Sequence, residues 1–283
     1  MQNEGHEVVR LFWDQACRTV YQVGFGEQFF VVLVASVVHA VGLWGSCGFF
    51  VALDRLGWCQ QYKIPRNRKD MQATTPENIR LNKQAWYEQI VGTFVVVPVA
   101  VALLYPGLAY RGMLVCEGEL PEWSTIVGHF LGMLLGCDAL FYWTHRLLHA
   151  NGWLYRNVHK QHHEFKATTV WASEYFGVID MLMNILPGVI PAIVMNSHFM
   201  VLMLFTGVRQ WQTVQSHAGF DLPFDILNRG VFSGGARRHD FHHSHNVGCY
   251  GDWMPFWDYI MGTDVQYQAY WKKTREPRKG KML

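Results

Sequence analysis

Residues 29–53 contain no Asp, Glu, Lys or Arg. About 20 predominantly apolar residues suffice to cross the hydrocarbon core of a bilayer, and a chain inside that core must satisfy its own backbone N–H and C=O groups, as a helix does. Comparable runs follow at 89–110, 124–144, 177–195 and 198–214. Pro98 and Pro106 interrupt the second, Pro187 and Pro191 kink the fourth, and Asn196-Ser197 divides the last two. Those two read as a tight pair of spanning or deeply inserted helices. Charged residues make up only 16% of the 283, below the ~25% of an average soluble domain. The predicted fold is all-α, a multi-pass transmembrane helical bundle.

The segments between the runs divide the chain. Residues 1–28 form an N-terminal segment in which Val8, Leu11, Phe12, Val20 and Val23 share one side of a helix, either lying on the membrane surface or packed conventionally. Residues 29–144 hold the first spans and a loop at 55–84 with seven Lys/Arg against two acids. Residues 145–264 include the membrane pair at 177–214, and 265–283 form a basic tail. Short basic loops stay on the cytosolic side. The loop 55–84 is therefore expected in the cytosol, and 111–123, with one Arg against three Glu, in the lumen. Counting spans then puts 145–176 and everything after 214 on the cytosolic face. The opening M-Q-N-E-G-H-E lacks the basic region of a cleaved signal peptide, so the first apolar run is expected to remain as an anchor. Lys279 and Lys281 resemble the dilysine retrieval signal of endoplasmic-reticulum membrane proteins. A net charge of +2 argues against nucleic acid as a partner. The six cysteines contain no C-x-x-C, so neither a disulfide framework nor a zinc ribbon is predicted.

Histidine carries the chemistry. The third apolar run ends in His145-x-x-x-His149, followed by His159-x-x-His162-His163, and the latter pattern returns as His239-x-x-His242-His243. Residues three and four apart share a helix face, so each motif can aim two or three imidazoles at one point. Eight converging imidazoles imply more than one metal ion, and imidazole suits Fe, Zn, Cu or Ni. A zinc protease would need Glu after the first His of H-E-x-x-H, where Arg146 stands. Structural zinc sites use four ligands, often Cys, which does not match either. Iron, which activates O2, fits best, and the bundle is expected to carry a cytosolic His-rich di-metal cap. His39, His129 and His198 are expected to be satisfied core residues.

From Asp138 to Asp264 the chain resembles the fatty acid hydroxylase/sterol desaturase superfamily of integral-membrane di-iron oxygenases. Beside the three His motifs, the matching stretches are Ser173-Glu174-Tyr175, His217-Ala-Gly-Phe-Asp-Leu-Pro223 and Trp257-Asp258-Tyr-Ile-Met-Gly262-Thr263-Asp264. Within the superfamily the chain is most similar to the C-4 methylsterol monooxygenase (sterol 4-methyl oxidase) branch. The resemblance implies that His145, His149, His159, His162, His163, His239, His242 and His243 are catalytic ligands of two irons, with His217 as a further ligand. His245 is undecided between the metal's surroundings and none. Asp138, Glu164, Glu174 and Asp240 are candidate carboxylates behind the ligands, since metal-bound His commonly gives its other N–H to one.

The resemblance further implies O2-dependent oxidation of a sterol 4-methyl group, in sterol biosynthesis. Electrons would come from NAD(P)H through a reductase and a cytochrome b5-type carrier on the basic face. A planar apolar substrate would arrive from membrane lipid, with Phe141, Tyr142, Trp143 and Trp171 as candidate lining. Arg238 and Gln215 depart from the family pattern, where His and an acid are common. The alternatives are another lipid hydroxylase or desaturase of the superfamily, acting on a sterol or a fatty-acyl chain, and a non-catalytic metal or sterol sensor.

Overall fold

Among the described residues, three helices are long and apolar enough to cross a membrane: α2 (Glu27–Arg55), the continuous helix Pro76–Tyr110, and α5 (Trp123–Ala150). They belong to a computed structural model that describes residues 2–65, 75–117, 119–223, 230 and 234–275. Lys279 and Lys281 lie outside the described residues. The other helices are α1 (Gln2–Gln22), α6 (Gly152–Leu154), α7 (Val178–Val194), α8 (Phe199–His217), α9 (Ala236–His245), α10 (Phe256–Ile260) and α11 (Val265–Arg275). Among the described residues there is no strand, only one isolated bridge between Lys63 and Phe220. The all-α expectation holds.

The helix from Pro76 has three parts: α3 (Pro76–Val91), a π turn at Gly92–Val96 and α4 (Val97–Tyr110). Thr75 caps it by accepting from the Asn78 N–H at 3.2 Å, and Pro76 fits the first turn, where an N–H has no partner to lose. Residues 76–84 of the expected loop 55–84 are therefore helical. Pro98 has no N–H and its ring crowds the turn before it, which is where the widened turn sits.

The last two apolar runs form shorter helices. α7 has 17 residues, fewer than the long helices. α8 lies inside the bundle between α2, α5 and α9, and its second half carries Arg209, Gln210, Gln212 and Gln215. Glycine lets these helices come close. A Cβ on Gly42 would sit 2.9 Å from Gln210 Cβ, and one on Gly136 would sit 2.8 Å from Pro191 Cγ. Lipid supplies little hydrophobic drive between helices, so close van der Waals packing of small residues takes that role.

α1 is fastened to the end of the bundle remote from His145 and His149. Cys17 and Cys116 form a disulfide with Cα atoms 5.8 Å apart, and Trp13 Nε1 donates to the Val115 carbonyl at 2.7 Å. This corrects the expectation drawn from cysteine spacing. The two partners stand 99 residues apart, and a local motif search cannot pair them. Val8, Leu11 and Phe12 point outward, while Trp13 and Val20 pack on the core.

Candidate metal centre

The end of α5 brings His145 and His149 onto one face, and then the chain turns sharply. Asn151 Oδ1 accepts from the N–H groups of Trp153 and Leu154, both at 3.0 Å, and so restarts helical structure as α6. A π turn at Tyr155–His159 and a 3-10 turn at His162–Glu164 then present His159, His162 and His163. His217 ends α8, and α9 contributes His239, His242 and His243.

The imidazoles sort into two clusters. His145, His149, His159, His163 and His242 form one; His162, His217, His239 and His243 form the other. Within each, the possible ligand atoms all lie within 4.8 Å of one another. All nine residues implied by the resemblance are present. His245 is in neither cluster: it stacks on Phe241 with ring centroids 4.3 Å apart.

The rings are oriented from behind. Nδ1 donates to the carbonyl of Tyr250 from His145 (3.0 Å), of Gly248 from His242 (2.6 Å), of Phe165 from His243 (3.0 Å) and of Thr213 from His217 (2.7 Å). A carbonyl oxygen only accepts, so these Nδ1 atoms carry the ring proton and leave Nε2 as a bare lone pair. Yet the Nε2 atoms face each other. His163 Nε2 lies 3.1, 3.0 and 3.1 Å from those of His149, His159 and His242. His239 Nε2 lies 2.8 Å from that of His217 and 3.1 Å from that of His243. One shared proton can bridge one such pair, not three. The remaining lone pairs repel unless a cation stands among them, and the donor set fits a metal in each cluster.

Each of the four candidate carboxylates accepts a hydrogen bond from a group outside the clusters. Asp138 accepts from the N–H groups of Trp253 and Met254, Glu164 from the Tyr175 hydroxyl, Glu174 from Gln210 and Asp240 from Thr168. The carboxylate that meets a cluster imidazole is Asp180, 2.8 Å from His159 Nδ1. Its sequence signal was an acid in the first turn of an apolar helix, which reads equally as a helix-dipole partner. Asp138 and Asp258 act one step removed. They pin the backbone at 250–254, the segment whose Tyr250 carbonyl orients His145. Arg238 pairs with Asp264 at 3.0 Å. Burial first, and crowding by neighbouring imidazoles second, hold His162, His163, His239, His242 and His243 well below the ordinary imidazole pKa. Neutral rings are the form that binds metal.

Above the clusters lies a cavity of about 590 Å³ whose walls come from α2, the Pro76–Tyr110 helix, α5, α7 and α8, and which reaches His145, His159, His162, His217 and His239. That is the size of a small-ligand site. Of the four expected lining aromatics, Phe141 alone borders it. Tyr142 stacks with Trp257, Trp143 is exposed on the outer surface and Trp171 packs beside Trp44. His39, expected in the core, also lines the cavity; His198 caps α8, and His129 meets Ser197.

The model of the fatty acid hydroxylase family matches residues 130–263, the segment holding every cluster histidine. Methylsterol monooxygenase 2-2 of Arabidopsis thaliana is 30% identical over 222 residues, 77% of this chain and 80% of the relative. The chain belongs to the fatty acid hydroxylase family. Methylsterol monooxygenase 1 of Rattus norvegicus is 36% identical over 158 residues, 56% of this chain and 54% of the relative. The match thus spans about half the length of the rat protein. A very-long-chain aldehyde decarbonylase of Oryza sativa subsp. japonica is 30% identical over 233 residues, covering 81% and 83% of the two chains. No solved structure matches.

Proposed function

We propose that this family member is a membrane monooxygenase that oxidises a sterol methyl group, the 4-methyl of a sterol intermediate, with O2. The observation that carries the reading is the pair of imidazole clusters, nine histidines in all, at the floor of a largely apolar cavity that opens among membrane helices. His145, His149, His159, His163 and His242 would hold one iron, and His162, His217, His239 and His243 the other. A dinuclear iron centre supplies reductive O2 activation, which reaches C–H bonds that acid–base groups do not. The chain's own part is to hold the imidazoles neutral and fixed, exclude water from the apolar cavity, and orient the methyl group toward the floor.

The orientation of the bundle follows from redox and charge together. A disulfide belongs to an oxidising compartment, so the end with Cys17 and Cys116 faces the lumen of the endoplasmic reticulum. α5 has 28 residues, a rise of roughly 40 Å, so His145 and His149 at its other end face the cytosol. Arg156 and Lys160, exposed beside His159, suit an acidic carrier of the cytochrome b5 type fed by an NAD(P)H reductase. A straight-chain substrate is the second reading, favoured by the similarity to the aldehyde decarbonylase.

The test is the lipid profile of cells depleted of the protein, together with the iron content of protein purified without chelators. Accumulation of 4-methyl or 4,4-dimethyl sterols supports the reading. Unchanged sterols with altered very-long-chain aldehydes or fatty acids would replace it by the second one.

A further inference from the structure

One wall of the apolar cavity carries a charge. Gln210 stands two turns before His217 on α8, hence on the same face and about 10 Å along the axis. Its amide donates to Glu174 Oε1 at 2.9 Å. His39 of α2 completes the group: its Nδ1 meets the Gln210 amide, and its Nε2 stands 3.4 Å from Glu174 Oε2. All three residues line the cavity that ends on His145, His162 and His217.

The group is incompletely satisfied. An ionised carboxylate offers about four acceptor sites, and taking one out of water costs several kcal/mol unless donors replace the lost hydration. Glu174 Oε2 meets the His39 Nε2 only at the longer distance, a contact too loose to saturate either group. An amide N–H only donates, so the Nδ1 atom that faces it accepts, and the proton of His39 resides on Nε2. A spare acceptor and a spare donor therefore stand side by side. Arg209, also on the cavity wall, is already ion-paired. Arg209 bonds Asp252, the Cys137 thiol and the Asn184 carbonyl and lies over the Phe141 ring.

We propose that Glu174, His39 and Gln210 form a binding site for the hydroxyl group of an alcohol-bearing lipid. The alcohol O–H donates to Glu174 Oε2, the His39 Nε2–H donates to the alcohol oxygen, and Gln210 holds the carboxylate in place. An alcohol answers both spare groups at once; an ether or ketone offers no O–H and leaves the buried carboxylate unanswered. Sites built to hydrogen-bond a substrate hydroxyl reject analogues that lack it far more strongly than apolar pockets reject a methylene. The contact is thus a specificity determinant, and it decides which carbon of the lipid faces the imidazole floor. The inference deepens the proposed function and rests on the reading of the cavity as a sterol site.

The experiment is equilibrium binding of a 4,4-dimethylsterol and of its 3-methyl ether to the full chain in lipid nanodiscs, with metal content measured in parallel. The wild type is expected to prefer the alcohol by about tenfold or more. Glu174→Gln removes the charge that roughly doubles the strength of such a bond, and the preference should fall to about threefold or less with metal content unchanged. Gln210→Leu keeps the carboxylate but frees it, and should lower the same preference. It decides the matter if Glu174→Gln does not fold. An undiminished preference in the folded variant would overturn the hydroxyl site and leave the sterol reading standing. A wild type that binds neither sterol would overturn both.

Discussion

His159 Nδ1 lies 2.8 Å from Asp180 Oδ2, and both side chains are buried. The contact joins a π turn on the His-rich segment to the first turn of α7, and among the described residues Asp180 is the one carboxylate in the hydrogen bonds that orient the cluster rings. With the carboxylate accepting, His159 keeps its proton on Nδ1 and turns Nε2 into the first cluster.

Asp180→Asn removes that acceptor charge. Loss of such a partner typically weakens metal affinity by about 10–100-fold. After dialysis against a graded chelator series, the variant should give up about half its metal at concentrations the wild type withstands. Equal retention by the two proteins would contradict an orienting role for Asp180.

His242 Nε2 faces His163 Nε2 at 3.1 Å, whereas His245, three residues on, stacks on Phe241. His242→Ala is therefore expected to lose metal from the first cluster and all oxidation of lipid. His245→Ala should keep both. Metal per chain by elemental analysis, with O2 uptake alongside, separates them; a fully active His242→Ala protein would refute the ligand assignment.

Gly248 has φ +62°, and a Cβ there would stand 2.2 Å from the Thr263 carbonyl oxygen. Its own carbonyl holds His242. Gly248→Ala must then move the backbone, at a cost of order 1–3 kcal/mol for a strained residue, and displace His242 with it. Lower thermal stability and a lower metal content should appear together. A variant with wild-type melting and metal content would show that this turn tolerates a side chain.

Cys17 and Cys116 close a loop of 99 residues at the end of the bundle remote from the clusters. Cys17→Ser should lower stability by about 2–4 kcal/mol and leave metal content intact. Denaturation of the paired proteins tests the first statement. Maleimide labelling of unreduced wild type tests the pairing, since neither cysteine should react before reductant is added.

Much of the centre is legible along the chain because helical spacing is local. His145 and His149 need only one helix to share a face, and His239, His242 and His243 need only another. The orienting groups escape such reading. Four are backbone carbonyls, at Tyr250, Gly248, Phe165 and Thr213, and a carbonyl has no residue identity to search for. Asp138, Glu164, Glu174 and Asp240 lie close to the motifs in sequence, yet each answers another donor. Among the described residues it is Asp180 that reaches a cluster ring, because α7 folds back along α5.

Read along the chain alone, the residues already specify a helical membrane bundle and single out nine histidines as candidate metal ligands. Uninterrupted apolar length requires helices in lipid, and imidazole repeats at three and four residues require a shared point. Packing of the helices sets how those histidines divide five and four, that α8 runs inside the bundle, that Cys17 finds Cys116, and that His39 meets Glu174 at the cavity wall. Each of these depends on which distant helices touch, and that is set by how glycine, proline and aromatic surfaces pack against one another across the fold.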